Sequence, residues 1–520
     1  MKRILTILLS ALLLPAAAAG QQGLTDYPEH RLIPERSELT FIGYYLIRSE
    51  LSNIAPTNEF LKGQVVGRLF GGNTTFTSNK TSQFTEQRFL PMFTYTPRLF
   101  DGWAKMRASF ELDWTWGDVN YSAGGNFGGA FGADAVNLQT QNVFIEFHPR
   151  KSVYINAGLL RLYDNVRVPW YTFVDDLLLT GYRLAMFGSD ASGAQFFKAL
   201  APDLRLKVGG YELYENNVEQ SDDVSMYDAD LEKDLGIATS VGLSVNYLRD
   251  SGNGEGGVSI LGQGLNSSLS NYNGVFNFNF DPGERYKADI FWLGTHFHHN
   301  PLLMQGRFGL SGFAWYNLGQ AKTSLRTVDI GGLAANLRLA WCYGRCHEDQ
   351  IVLDGIFTTG DDNNITDNKY SGVLTGNNWT SPGAVFISHG LYLLLPQGTV
   401  VNRYVAAVED IQNIGYGLTA GSLSVARDLV QNKFRIKFGT GIGMATKTPA
   451  GMKKFIGSEV NMNLRYRPKV FMDLELHAAY LWLGDFYESP VVNGSPPGEP
   501  SYERPKDPWT VFASVKWIMF

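Results

Sequence analysis

The chain has 520 residues and a net charge of −6, too weak a balance to indicate a nucleic-acid partner. Its 56 glycines, 13% aromatic content and only 18% charged residues suit strands, tight turns and interfacial aromatic girdles. Soluble β-sandwiches share that blend, so patterning along the chain has to decide.

The N-terminus carries Lys2 and Arg3, an apolar run from Ile4 to Leu14, the breaker Pro15 and Ala17-Ala18-Ala19. This reads as a secretory signal over residues 1–19, cleaved after Ala19. The residue immediately after the cut is Gly20 and not a cysteine, which argues against a lipid anchor. Residues 20–60 are expected to be a periplasmic segment with a possible first strand, too short for a plug domain, and 61–520 the membrane barrel. Beyond the signal no run of about 18 apolar residues occurs, so no helix is expected to span a membrane.

From Lys105 to Trp116 the chain alternates. Met106, Ala108, Phe110, Leu112, Trp114 and Trp116 share one strand face; Lys105, Arg107, Glu111 and Asp113 share the other. Further strands are predicted at Val143–Phe147, Val153–Leu159, Leu204–Val208, Phe276–Phe280, Tyr286–Trp292, Leu337–Trp341, Ile351–Phe357 and Trp509–Phe520. The clearest lie near the C-terminus. Phe434, Ile436, Phe438, Ile442 and Met444 oppose Arg435 and Lys437; Val460, Met462, Leu464 and Tyr466 oppose Glu459, Asn461, Asn463, Arg465 and Arg467. Met472, Leu474, Leu476, Ala478, Tyr480 and Trp482 oppose Asp473, Glu475 and His477. One face suits lipid and the other water, so the predicted fold is an all-β, antiparallel, up-and-down transmembrane barrel of about 18 strands (roughly 16 to 20) in a bacterial outer membrane.

Short periplasmic turns are expected at Pro149–Lys151, Asp281–Glu284, Gly344-Arg345 and Pro468-Lys469. Long outer loops are expected at Asp164–Ser192, Glu215–Asp234, Gly360–Asn413 and Glu488–Asp507. Asp164–Ser192, rich in aromatic and leucine residues, either folds inward, packs on the rim or contributes another strand. Ala384–Leu395 is either a strand or part of a folded loop.

The functional signal is lumen-facing charge, which meets solute inside a large barrel. The basic set is Lys105, Arg107, Arg205, Lys207, Lys287, Arg338, Arg435, Lys437, Arg465 and Arg467. The acidic set is Glu111, Asp113, Glu146, Asp289, Asp354, Glu459, Asp473 and Glu475, and opposite charges on neighbouring strands can simply pair. Arg435, Lys437, Arg465 and Arg467 form the expected anion-attracting patch. Cys342 and Cys346 flank a turn and predict a hairpin disulfide in an oxidising compartment; His347 beside them falls short of a haem-attachment spacing. His296 and His298 share a strand face, expected at a strand's outer end, where rim polarity is a plainer reading than metal. Asp361, Asp362, Asn363 and Asp367 offer oxygens for calcium, although Ile365 breaks the usual ligand pattern. No catalytic constellation is evident: Ser388 and His389 would face opposite sides of a strand, and the glycine-rich stretch 252–264 does not open a helix.

Thr359-Gly360-Asp361-Asp362-Asn363 and Ala479-Tyr480-Leu481-Trp482-Leu483-Gly484-Asp485 make the chain resemble outer-membrane porins, and among them the alginate-export family. That resemblance implies an 18-stranded barrel with a basic lumen guiding an acidic polysaccharide. Phe520 resembles the aromatic ending of inserted barrels, yet falls on the opposite parity from Trp509, Val511, Ala513, Val515 and Trp517. The expected function is a passive channel for polar, anionic or polysaccharide solutes, contacting outer-membrane lipid and performing no covalent chemistry. A barrel hydrolase and an adhesion barrel with a blocked lumen are the alternatives; a periplasmic partner and a homo-oligomer stay open.

Overall fold

The computed structural model describes residues 38–56, 65–69, 75–116, 137–150, 152–163, 166, 187–215, 218–253, 278, 280–301, 303–374, 390–395, 403–408, 411–489, 492 and 504–519. The signal segment, Ser388, His389 and Phe520 lie outside them.

Among the described residues one sheet of 19 strands dominates, and one of these is the two-residue parallel segment Lys369–Tyr370 inside a loop. The other eighteen run antiparallel in sequence order and close on themselves. They are β1 Leu39–Pro56, β2 Thr75–Tyr95, β3 Ala104–Thr115, β4 Asn137–Arg150, β5 Val153–Tyr163, β6 Phe187–Ala201, β7 Leu204–Tyr214, β8 Val224–Gly236 and β9 Thr239–Asp250. The second half is β10 Lys287–His299, β11 Phe308–Lys322, β12 Thr327–Cys342, β13 Gln350–Thr358, β14 Thr419–Val430, β15 Phe434–Met444, β16 Phe455–Lys469, β17 Met472–Leu483 and β18 Trp509–Met519. Closure comes from β1 against β18, in register from Gly43↔Met519 to Ser52↔Thr510. Among the described residues the first barrel strand is Leu39–Pro56, inside the 20–60 segment where a possible first strand is expected.

Alternation separates the two faces. On β17, Leu474, Leu476, Tyr480 and Trp482 are 36–47% exposed on the outside, whereas His477 is buried on the inside. Aromatic side chains gather outside at both ends: Trp509 and Trp517 of β18 are separated by about 26 Å of strand at roughly 3.3 Å per residue. A closed antiparallel barrel with an apolar outer band is the strand solution to crossing lipid.

Connections at one end are short, as at 202–203, 237–238 and 470–471, and at the other end most are long. Asp281–Glu284 belongs to the long-loop end, not to a periplasmic turn, because β10 begins only at Lys287. Of the strand expected at Phe276–Phe280 only Phe278 and Phe280 are among the described residues, and neither lies in a strand. Phe278 and Phe280 instead fold inward against Tyr370 and Tyr286, with both ring pairs at 5.0 Å. The loop expected at Glu215–Asp234 is mostly β8, where Tyr227, Ala229 and Leu231 face out and four acids face in; the acids masked the alternation. Of Asp164–Ser192, Phe187–Ser192 belongs to β6 and Val166 is buried, while the remainder lies outside the described residues. The described part of Ala384–Leu395, Gly390–Leu395, is a folded loop and not a strand.

The interior of the second half is apolar where it meets these loops. Trp292, Phe313, Trp315, Ile330 and Ala334 face inward and pack in one cluster with Tyr370, Val373 and Leu374. The Trp292 indole donates to Leu374 O (2.8 Å), and Leu374 N donates to Asn317 Oδ1 (3.0 Å). Arg403–Ala406 pairs in parallel with Val65–Arg68, so the β13–β14 connection also clasps the β1–β2 connection.

Placing Leu476 at mid-wall predicts that Leu476→Arg destabilises the folded barrel by about 2–4 kcal/mol and Trp482→Arg by about 0–1 kcal/mol, because the penalty of a charge in lipid falls toward the interface. Denaturant titration of folding into phosphocholine vesicles measures both; equal, negligible effects contradict the outward assignment.

Candidate functional site

The first half of the barrel presents a charged inner wall. On β3 the inward side chains run from Lys105 and Arg107 at the short-turn end to Glu111 and Asp113 toward the long loops, all buried. Arg88 on β2 forks onto Asp113, Nε to Oδ1 at 2.9 Å and Nη2 to Oδ2 at 2.8 Å, and also pairs with Glu111. Arg107 donates to Glu146 at 3.0 and 3.3 Å and to Thr94 Oγ1 at 3.2 Å, while Lys105 stands opposite Glu146 in register. Arg48 pairs with Glu50 and lies 4.1 Å over the Phe512 ring.

A second group spans β7 and β8. Arg205 meets Glu232 at 2.9 Å and Asp234 at 2.5 Å, and Lys207 meets Asp228 at 2.9 Å and Asp230 at 2.6 Å. Two cations therefore face four acids on this stretch of wall. Burying such charges is tolerable only when they are paired, and each pair is worth little net stability although removing one partner costs about 3–5 kcal/mol. Sequence reasoning missed Arg48, Glu50, Glu86, Arg88 and the β8 acids. Their signal was the two-residue spacing Asp228, Asp230, Glu232, Asp234.

The expected anion-attracting patch is assembled but compensated. Arg435 and Arg465 are opposed in register, and both reach Glu348, at 2.5 and 2.8 Å. Glu348 lies in the turn between β12 and β13, which tucks under the barrel at the short-turn end. Burial pushes its carboxyl up, but the Arg435 and Arg465 guanidiniums pull it down from 4.5 to about 2. Arg467 forks onto Asp473 at 2.7 and 2.8 Å, and the Lys437 ammonium sits 5.7 Å from the Tyr392 ring centroid. Arg338 faces Asp354 directly. Lys287 and Asp289 do not join the lumen: on β10 they share the outward parity with Phe291 and Leu293, because Ala288, Ile290 and Trp292 turn inward to the loop cluster.

Glu459, fully buried on β16, accepts four hydrogen bonds. Its Oε1 accepts from Tyr392 N (2.8 Å) and Asn461 Nδ2 (2.7 Å); its Oε2 accepts from Leu393 N (2.9 Å) and Leu394 N (2.7 Å). Three successive amides cradling one carboxylate form an anion nest, with the loop as the nest and the wall as the anion. Next to it, β15 turns Gly439, Gly441 and Gly443 inward. A Cβ on Gly439 would lie 2.4 Å from Gly390 O, and one on Gly441 would lie 2.9 Å from Leu391, so the loop seats only against glycine. Glu459 was read from sequence as a lumen acid, and the alternate glycines were the overlooked sign of a docked segment.

Cys342 and Cys346 are not bonded: Cys342 turns inward beside Leu303, Ala340 and Val352, with Sγ 3.1 Å from Cys346 O, and Cys346 Sγ points to Asp428 Oδ2 at 3.8 Å. His296 and His298 do share the inward face, but at the short-turn end, and His296 Nε2 meets Glu232 at 3.2 Å. Asp361 accepts from Asn363 N, Ser371 N and Ser371 Oγ, Asp362 pairs with Lys447 at 3.0 Å, and Asp367 accepts from Lys369 N; these acids turn to separate partners.

No family model matches the chain, and no curated protein does either. Among solved structures it is similar in shape to OpdL of Pseudomonas aeruginosa (11% identity, 93% of this chain and 99% of that one, TM-score 0.48). It is similar also to the outer membrane protein OpdK of the same species (11%, 92% and 98%, 0.47) and to OccAB4 of Acinetobacter baumannii (10%, 92% and 98%, 0.45). The alginate-export resemblance gains no support from these comparisons.

Two outcomes follow from the paired interior. Glu348→Ala exposes Arg435 and Arg465, so the reversal potential in a salt gradient is expected to move toward anions. A carboxyl lowered from 4.5 to about 2 contributes its stabilisation fully above pH 4.5 and loses it progressively as pH falls from there through about 2, so that shift should be the same at pH 5 and pH 8. Glu459→Ala strands three buried amides at about 1–3 kcal/mol each. Loop release, read as larger and noisier single-channel currents, is expected; unchanged currents contradict the anchoring role.

Proposed function

We propose that the chain is a passive channel of a bacterial outer membrane for small polar solutes. The observation that carries this reading is the closed barrel whose inner wall is lined with ionised side chains of both signs while its outer wall is apolar. Such a lining replaces the hydration of a polar solute on its way through, and inward loops narrow the path. Because opposite charges interleave, and because acids outnumber cations on β7 and β8, the lining favours neutral, zwitterionic and cationic solutes over polyanions. Export of an acidic polysaccharide, which the alginate-export resemblance implies, calls for a surplus of lumen cations. Here Glu348 and Asp473 offset Arg435, Arg465 and Arg467, and this argues for the small-solute reading.

Refolded protein in a planar bilayer under a potassium chloride gradient is expected to give stable conductance with weak cation preference, insensitive to added polyuronate. Absence of conductance would sink the channel reading; block by polyuronate would restore the exporter.

A further inference from the structure

We propose that the outer rim of the barrel wall binds the phosphorylated headgroup of a glycolipid. The inference rests on the barrel lying in a membrane with its long connections outward, and not on whether it conducts. Where β2, β1 and β18 meet at that rim, a cavity of about 630 Å³ opens, lined by both the β1–β2 hairpin and the chain returning to Trp509. Register explains its wall. Ser52 pairs with Ser82 but Ile54 already pairs with Thr77, so Ser78–Thr81 is looped out of the sheet and carries Lys80 with it. From the other side come Arg504 and Lys506, and the two segments are stitched by Thr77 Oγ1 donating to Lys506 O (2.8 Å) and by Lys506 Nζ donating to Asn79 Oδ1.

Three cations thus share one opening. Asp507 is the acid among the lining residues, and its carboxylate is committed to the wall, accepting from Tyr480 OH (3.3 Å) and Leu483 N (2.9 Å). Arg504 Nη2 donates to Leu483 O at 2.6 Å, while its Nη1 is 3.8 Å from Glu488, with both side chains about half exposed. In the lumen Arg107, Arg205 and Lys207 meet acids at 2.5–3.0 Å, whereas these three rim cations stand together against one engaged carboxylate and one loose one.

Their surroundings point to lipid. Tyr480 and Trp482 line the same cavity and are 36% and 47% exposed on the outward face of β17. Amphipathic rings of this kind mark the boundary between acyl chains and headgroups, so the cations lie at headgroup level. Lysine ammonium and arginine guanidinium bind phosphate oxygens, and indole faces accept sugar rings beside them. A phosphate on a membrane-anchored sugar satisfies both features, and free phosphate satisfies the first alone.

The test uses the intact protein refolded in detergent micelles, folding being checked by heat-modifiable gel mobility. Binding of a bisphosphorylated glucosamine lipid is compared with that of its dephosphorylated form and of inorganic phosphate, for wild type and for a Lys80→Ala, Arg504→Ala, Lys506→Ala variant. The phosphorylated lipid is expected to bind about a hundredfold more weakly to the variant, each rim cation contributing a factor of about five. If the triple variant does not fold, Lys80→Glu on the looped-out segment gives the same reading with a smaller loss. Equal affinity of wild type and variant, or of phosphorylated and dephosphorylated lipid, overturns the site; inorganic phosphate binding as tightly as the lipid overturns the lipid as its source.

Discussion

Every feature of this molecule follows from one constraint: a backbone in hydrocarbon must satisfy its own hydrogen bonds. A sheet does so only when closed, and closure here depends on β1 bonding β18 on one side and β2 on the other. Once closed, the two-residue strand period assigns each side chain to lipid or to the interior, and a slip of one residue would exchange them. The inner wall then inherits whatever the alternate positions carry. In the first half these are ions, and in much of the second they are large apolar groups.

The apolar inner wall would be costly in a water-filled barrel. Residues 359–374 and 390–395 remove that cost by covering it, with Val373, Leu374, Leu391 and Leu394 all fully buried. Apolar burial alone does not fix a loop in one register, since leucine contacts are non-directional. The Glu459 carboxylate does, because three successive amides must meet its two oxygens, and Gly439 of β15 admits the loop backbone at a distance that a Cβ would forbid. A polar anchor inside an apolar packing thus converts collapse into a defined seat. The ion pairs on β2 to β4 and on β7 and β8 act in the other sector, where mutual pairing lets buried charge persist without specifying a net attraction for one ion sign.

How much of this was legible in sequence follows from the same physics. The strands from Phe434 to Trp482 were read with their faces correctly assigned, because lipid outside and water inside give full alternation. β8 was hidden because Asp228, Asp230, Glu232 and Asp234 make its composition that of a loop, and only their spacing betrays a strand. Lys287 and Asp289 were assigned inward because charge was equated with lumen. On β10 the rule inverts: the docked loop makes the inside apolar and the outer rim wet. The basic patch was located residue by residue, but its compensation was invisible, since Glu348 arrives from a turn nearly ninety residues earlier and contact across strands leaves no local mark. Cys342 and Cys346 show the limit of proximity as an argument, for a tight turn can aim two neighbouring thiols at different partners.

The Glu459 carboxylate builds the segment at Tyr392 to Leu394 into the barrel wall. Hydrogen–deuterium exchange of the refolded protein in lipid nanodiscs tests it directly. The amides of Tyr392, Leu393 and Leu394 are expected to exchange as slowly as those of β15 and β16. Exchange at the rate of an open loop, while the strands stay protected, would contradict it.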